Sequence, residues 1–298
     1  MSILTLLTAL DSGLIYAILA LGVFLSFRTL NTPDLTVDGS IVTGAAISAV
    51  MCSAGFNPFL ALVCAFLGGA ACGMITGFLN TKLRIQALLA GILVMLGLYS
   101  INMRIMGGRA NIALINEDTV YKSAAEIIPF NHSSLILNLI IVIVAITLFF
   151  LFLKTRIGFA LRATGDNEDM IKASGVDSQI MRIMGLSLSN AFVGLAGGML
   201  SQYQSYTDVG MGVGMVVIGL ASVIIGEVVF GTRTLLQRLI AVALGAILYR
   251  FVIAFALELG MEANDLKLVS AIIVTIALAF GMMGDRFSFR KKGGKKSA

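Results

Sequence analysis

Long apolar segments recur along the whole chain, and short polar connections separate them. Each segment has about 18 residues or more, which as a helix is enough to cross roughly 30 Å of hydrocarbon. Helices are expected because the hydrocarbon offers no water to satisfy backbone N–H and C=O groups. The pattern predicts an all-α polytopic membrane protein with a single transmembrane domain over residues 1–298. Its nine predicted spans lie at about 5–27, 36–54, 58–79, 85–104, 133–153, 181–203, 211–229, 237–257 and 265–284.

Basic residues concentrate in the connections that follow the odd-numbered spans. The opposite connection at 258–265, ELGMEAND, has no Lys or Arg. Because cytoplasmic connections carry an excess of Lys and Arg, the bias predicts an outside N-terminus and a cytoplasmic C-terminus. The Lys-rich tail at 285–298 is then cytoplasmic. A basic run beside a span favours contact with anionic membrane lipid over nucleic acid.

The amino-acid composition mainly excludes classes of protein and kinds of site. The chain of 298 residues is 58% hydrophobic and 12% charged, whereas soluble domains carry about 25% charged residues. With one histidine, His132, and three cysteines that lack Cys-x-x-Cys spacing, no metal site or catalytic triad is expected. No GxxxxGK[ST] motif is present, so the chain does not bind ATP through a P-loop. We therefore expect a non-catalytic chain without its own cofactor.

Two segments form a faint internal repeat. NTPDLTVDGSIVTGAA (31–46) follows the first span, and QSYTDVGMGVGMVVIGLAS (204–222) follows the sixth. Both place Thr and Asp before Gly and then enter an apolar helix. Being five spans apart, they enter from opposite faces, as in the inverted repeats of transporters. Turn chemistry at two unrelated helix starts would give the same letters.

Polar residues near the spans are candidates for a translocation path. TPDLTVDGS (32–40) either caps a helix at the membrane surface or dips inward as a broken helix that lines water. The neutral groups further along suit a polar solute that is not held tightly, although they could equally satisfy one another. Glu227 is expected to pair with Arg233. The candidate path residues are Asp34, Asp38, Asn190, Gln202, Gln204 and Asp208.

The longest charged insert, TRIGFALRATGDNEDMIKASGVDSQ (155–179), predicts a short cytoplasmic helix. Asp166 and Asn167 are good N-cap residues, and acids follow in the first turn, where the helix dipole favours them. Gly175 suits the helix end. A solvated connector is one interpretation. However, a connector needs no ordered helix and is commonly about 4–6 residues long, so a docking element for a cytoplasmic partner is favoured.

The same segment resembles a motif of the branched-chain amino acid and monosaccharide permeases of ATP-binding-cassette importers, in which TRxGxxxRAxGxNxxxAxxxGI precedes a span. DLTVDGSIVTGAA (34–46) is similar to that family's DLSVGSxxAL element, with Asp38 as a departure. The sugar branch's GGTSLxGGxG turn is replaced by GEVVFGTRT (226–234). The closest resemblance is to a bacterial tryptophan or tyrosine subgroup. The positions that match the first motif are Thr155, Arg156, Gly158, Arg162, Ala163, Gly165, Asn167, Ala173, Gly175 and Val176.

This resemblance implies a permease subunit in the bacterial cytoplasmic membrane that carries a small polar solute of the amino acid class. Its implied partners are a second permease copy, two cytoplasmic ATPases that hold ATP and Mg²⁺, and an external solute-binding lipoprotein. The alternative is an ion-coupled secondary transporter that needs no ATPase. Residues 154–180 become the coupling segment. Its implied ATPase-coupling residues are Arg162, Ala163, Gly165, Asp166, Asn167, Glu168, Met170, Ile171, Lys172 and Gly175.

Overall fold

The computed structural model describes residues 3–127, 132–261, 265, 268–272 and 275. Within them, eight helical stretches are long and apolar enough to cross a membrane. The ninth predicted span, at 265–284, lies largely outside the described residues, and the basic tail lies wholly outside. The helices are α1 (Ile3–Val23), α2 (Thr36–Ser53), α3 (Pro58–Thr81), α4 (Ala87–Ile105), α5 (Val120–Ile127), α6 (Ser133–Lys154), α7 (Arg156–Asp166), α8 (Glu168–Ala173), α9 (Ser178–Gln204), α10 (Met215–Phe230) and α11 (Leu235–Glu258).

The centre of the bundle is α9, which packs against α1, α2 and α3. Glycines allow these close crossings. A Cβ at Gly73 would lie on the backbone of Leu186, and one at Gly194 would lie 2.5 Å from the carbonyl oxygen of Ala65. Small residues at four-residue spacing let membrane helices approach backbone to backbone. Gly73 and Gly194 therefore serve the packing of the bundle.

The first span does not end as a regular helix. It continues from α1 into a π-helical turn, Phe24–Thr29, and the chain then runs without helix until α2 begins at Thr36. Asn31 adopts φ 50°, a left-handed conformation that Asn tolerates better than most residues. Pro33 has no N–H to continue a helix. The residues between the two helices therefore account for the break.

A small cap covers the predicted outer end of the bundle. Strand β1 (Asn111–Ala113) pairs antiparallel with β2 (Tyr206–Asp208), in the register Asn111 to Asp208. The short helix α5 packs beside it on α6 and α9. The sequence did not predict these strands, because three residues are too few to show an alternation of apolar and polar positions. They join the connection after α4 to the one after α9.

The charged insert forms two helices where one was expected. Thr155 caps the start of α7. Asn167 separates α7 from α8, because its φ of −156° is extended and not helical. Asp177 caps α9 by accepting from the N–H groups of Gln179 and Ile180 at 2.8 and 3.4 Å. The predicted cap at Asn167 and the predicted helix end at Gly175, φ 79°, are confirmed. Asp166 was predicted to cap the start of a helix, but it is the last residue of α7, because α7 already begins at Arg156.

Candidate translocation path and coupling segment

The break before α2 places a carboxylate inside the bundle. Asp34 has no exposed surface. One of its oxygens accepts from the backbone N–H of Thr36 at 2.9 Å, and the other accepts from Nδ2 of Asn190 at 2.7 Å. Asn190 lies twelve residues after the start of α9 and fourteen before its end, about 18 Å along a helix of this pitch. The segment therefore dips inward, which decides between the two sequence interpretations.

The two halves of the faint repeat meet at Asp38. Its carboxylate accepts from the backbone N–H groups of Gly214 and Val216, at 2.9 and 2.8 Å, at the start of α10. A Cβ at Gly212 would lie on the carbonyl oxygen of Asp38. The chain before α10 thus runs inward along α2, as the chain before α2 runs inward along α9. Asp38 binds the positive end of a helix from the other half of the chain.

We expect Asp38→Ala to lower the stability of the α2–α10 contact. The change leaves two N–H groups at the start of α10 without their carboxylate, which costs about 1–3 kcal/mol for each buried group. Thermal unfolding in detergent should show a lower midpoint. Asp38→Asn keeps one acceptor oxygen and should lose less. Equal midpoints for Asp38→Ala and wild type would contradict the role given to this carboxylate.

A line of polar side chains that the sequence analysis missed extends from Asp34 along α2. The hydroxyls of Thr36 and Thr76 lie 2.7 Å apart, and Thr43 donates to Oδ1 of Asn102 at 2.8 Å. Two other buried oxygens, Oγ of Ser40 and Oδ1 of Asn190, have no hydrogen-bond partner among the described residues. Polar residues at positions 36, 40 and 43 repeat at helical spacing, and this repeat could have predicted a polar face on α2.

The remaining path candidates do not join this cluster. Gln202 is buried, accepts from the N–H of Val120 at 2.8 Å and donates to Oγ of Ser48 at 2.9 Å. Asp208 accepts from the N–H of Gly210 at 2.7 Å, and Gln204 is exposed. Gln202 holds α5 to the bundle, while Asp208 caps the 3₁₀ turn that precedes α10. The structure thus brings Asp34 and Asn190 together and leaves these three apart.

The expected pairing of Glu227 with Arg233 is wrong. Glu227 accepts from Nε of Arg28 at 2.8 Å, and the carboxylate side chain is 8% exposed. Sequence proximity favoured Arg233, but the end of the π-helical turn brings Arg28 across to α10. The pair ties the first span to the seventh on the predicted cytoplasmic side.

Helix α7 packs against the end of the first span. Leu161 and Ala163 are buried. A Cβ at Gly165 would lie on the carbonyl oxygen of Thr29 and 2.9 Å from Cα of Leu30. Those two residues lie at the start of the break, five and four positions before Asp34. The first half of the coupling segment therefore contacts the broken helix directly.

Helix α8 belongs to the second half of the coupling segment and has an exposed face. Ile171 is buried, but Met170 is 52% exposed. Glu168 accepts from Lys172 at 2.9 Å, from Arg182 at 2.7 Å and from Ser178 at 3.0 Å. The bond from Lys172, more than any other contact, lowers the pKa of Glu168 below its ordinary value. These bonds fix α8 to the start of α9, and Met170 remains available for a partner.

A helical bundle that encloses a broken span with a buried carboxylate is typical of membrane transporters. Residues 5–279 match the model of a family described as the permease component of branched-chain amino acid transport systems, and the chain belongs to that family. It is the permease subunit of an ATP-driven importer and a multi-pass protein of the cytoplasmic membrane.

Relatives of known name cover nearly the full chain. A tyrosine transport system permease protein of Clostridioides difficile is 39% identical over 97% of this chain and 95% of its own length. A probable branched-chain amino acid transport permease protein, LivH, of Methanocaldococcus jannaschii is 24% identical over 92% of this chain and 91% of its own length. The ribose import permease protein RbsC of Escherichia coli is 24% identical over 92% of this chain and 84% of its own length.

One solved structure shares the fold. PsaBC of Streptococcus pneumoniae, in complex with Fab, superposes with a TM-score of 0.52 over 90% of this chain and 89% of that one, at 14% identity. At this identity the likeness concerns the fold alone. The predicted family and all-α architecture are confirmed by these matches and by the helices described above.

Proposed function

We propose that this permease imports an amino acid, with tyrosine as the first candidate, through a path that passes the break before α2. The relative that is 39% identical over almost the full chain is a tyrosine transport permease, and this supports the substrate class. The proposal also rests on Asp34 and Asn190, which place hydrogen-bonding groups inside the bundle. A polar solute crossing hydrocarbon requires such groups in place of water.

The observation that carries the mechanism is the contact between Gly165 and the residues Thr29 and Leu30. A force applied to α7 reaches the start of the break through backbone atoms, without an intervening flexible side chain. Packed backbone contacts of this kind transmit small rigid shifts. Moving Thr29 and Leu30 would shift Asp34 relative to Asn190 and alter access to the path. Alternating access would then follow cycles of partner binding and release.

We assign the proposed partners to two opposite surfaces of the molecule, the α8 face and the β1–β2 cap. Two cytoplasmic ATPases, each holding ATP and Mg²⁺, would bind the α8 face of two permease copies. An external solute-binding lipoprotein would deliver the amino acid near the β1–β2 cap. The chain supplies no catalytic group to ATP hydrolysis in this scheme. Its contribution is to hold α8 in place through Glu168, Lys172 and Arg182.

Met170→Asp is expected to weaken association with the ATPase at least about tenfold. The change places a charge where an exposed apolar side chain would be buried by the partner, and each tenfold corresponds to about 1.4 kcal/mol. The fold should persist because Ile171, not Met170, packs inward. Association is measured by co-purification of tagged permease with the ATPase at rising salt and detergent.

The matched control is Ile115→Asp, because Ile115 is 73% exposed on the predicted opposite side of the membrane. It makes the same change from apolar to acidic and should leave ATPase association unaltered. Replacing residues 165–175 by a flexible linker should abolish association altogether. Undiminished co-purification of both the Met170→Asp and the linker variants would remove the assignment of the coupling segment.

A further inference from the structure

A basic cavity lies beside the coupling segment on the predicted cytoplasmic side. It measures about 270 Å³ and lies between α7, the end of the first span and the turn that joins α10 to α11. Four arginines and one acid supply its charges. The lining residues are Phe24, Arg28, Thr29, Arg162, Asp166, Arg233, Thr234, Leu235 and Arg238.

The positive charge of this cavity is largely uncompensated. Arg28 pairs with Glu227 at 2.8 Å. Among the described residues, no carboxylate forms an ion pair within 4.0 Å of Arg162, Arg233 or Arg238. Asp166 is the single carboxylate among the lining residues, so the arginines outnumber it. Arg28, Arg233 and Arg238 are exposed, so water screens part of their mutual repulsion, and hydrogen bonds from the guanidinium groups would supply most of the stabilisation of an anion between them.

Two further features point to a bound anion. Nε of Arg162 is buried and has no hydrogen-bond partner among the described residues, although a buried donor without a partner is costly. The N-terminus of α11, a 24-residue helix, also borders the cavity, and Thr234 caps it by accepting from Gln237 at 3.2 Å. Helix N-termini favour anions because their N–H groups and dipole are positive.

We propose that this cavity binds a phosphate group, and that the phosphate links α7 to the α10–α11 turn. The planar arginine fork matches the oxygens of phosphate in pairs. The cavity is formed by the ends of membrane spans, with Phe24 and Leu235 beside the arginines. A phospholipid headgroup and a soluble phosphate share this chemistry. The inference does not depend on the transported solute or on ATPase docking.

The test is a binding titration of the full-length chain in mild detergent, followed by native mass spectrometry. Phosphatidylglycerol and diacylglycerol are compared as lipids with and without a phosphate, and inorganic phosphate is titrated separately. The double variant Arg233→Gln/Arg238→Gln should bind the phosphate-bearing probe at least about tenfold more weakly, because losing even one charge-assisted hydrogen bond to the phosphate costs about 1.5 kcal/mol or more, and about 1.4 kcal/mol is tenfold. Diacylglycerol should not bind detectably in either protein.

The matched control is Lys82→Gln/Arg84→Gln, which removes two exposed basic charges after α3, away from this cavity. Its affinity should stay within about twofold of wild type, because screened charges outside the site contribute little. Phosphatidylglycerol binding that inorganic phosphate does not displace assigns the site to a lipid headgroup. Stabilisation by inorganic phosphate, with displacement of the lipid, assigns it to a soluble phosphate.

Several results would overturn the proposal. One is equal phosphatidylglycerol affinity in wild type and in Arg233→Gln/Arg238→Gln. Another is equal weakening in the Lys82→Gln/Arg84→Gln control, which would mean that net charge alone governs binding. A third is the loss of ATPase association in the arginine variant with phosphate binding intact, which would assign the cavity to an acidic segment of a partner protein.

Discussion

Replacing Gly165 by alanine is expected to separate ATP hydrolysis from transport. The new Cβ would lie on the carbonyl oxygen of Thr29 and 2.9 Å from Cα of Leu30. Both are backbone atoms, so α7 must move away from the first span. Overpacking of this kind costs about 1–3 kcal/mol. Transport in proteoliposomes should fall at least about tenfold, while the exposed α8 face still holds the ATPase and ATP is still hydrolysed.

Gly97→Ala provides the control for Gly165→Ala. Gly97 also lies inside a helix, but a Cβ there meets no atom within 4 Å. Alanine favours a helix interior over glycine by about 1 kcal/mol, so this variant should be as stable as wild type or more so. Its transport rate should be unchanged. Full transport by Gly165→Ala would show that α7 does not act on the broken helix through this contact.

The second large effect is expected at the pair Asp34 and Asn190. Asn190→Leu removes the donor to one carboxylate oxygen, and the buried Asp34 keeps only Thr36 as a partner among the described residues. Leaving a buried polar group without its hydrogen-bond partner costs about 1–3 kcal/mol, and more where the group is charged. We expect transport near background and a lower thermal midpoint, measured in proteoliposomes and in detergent respectively.

The exchange Asp34→Asn/Asn190→Asp separates loss of the pair from loss of either side chain. An amide at 34 can accept from Thr36 and donate to a carboxylate at 190, so the contact between the two positions is retained. The double variant should recover part of the stability that each single change loses, and a double-mutant cycle measures that coupling. Strictly additive losses would mean that the two residues act independently.

Much of this architecture was predictable from hydrophobic periodicity. Eight predicted spans correspond to helices whose ends agree within about four residues. The cap at Asn167 and the helix end at Gly175 were also predictable, because each depends on local chemistry. Long apolar helices and their caps are determined by nearby residues, which is why one sequence suffices to predict them.

The contacts between distant segments were not predictable in the same way. Glu227 pairs with Arg28 and not with Arg233, and Asp38 binds the start of α10. Both contacts depend on how the spans pack, which periodicity does not specify. The depth of Asp34 stayed open for the same reason: one motif suits either a surface cap or a broken helix. Gln202 was a reasonable path candidate until its bonds to Val120 and Ser48 were known.

The most direct test of the central claim is tyrosine uptake into proteoliposomes that contain the permease with its co-purified ATPase and binding protein. We predict uptake when ATP is supplied on the side of the coupling segment, with no uptake driven by an ion gradient alone. Gly165→Ala should abolish most of that uptake while ATP hydrolysis continues. Uptake by the permease alone on a proton or sodium gradient would contradict the account and favour an ion-coupled transporter centred on Asp34.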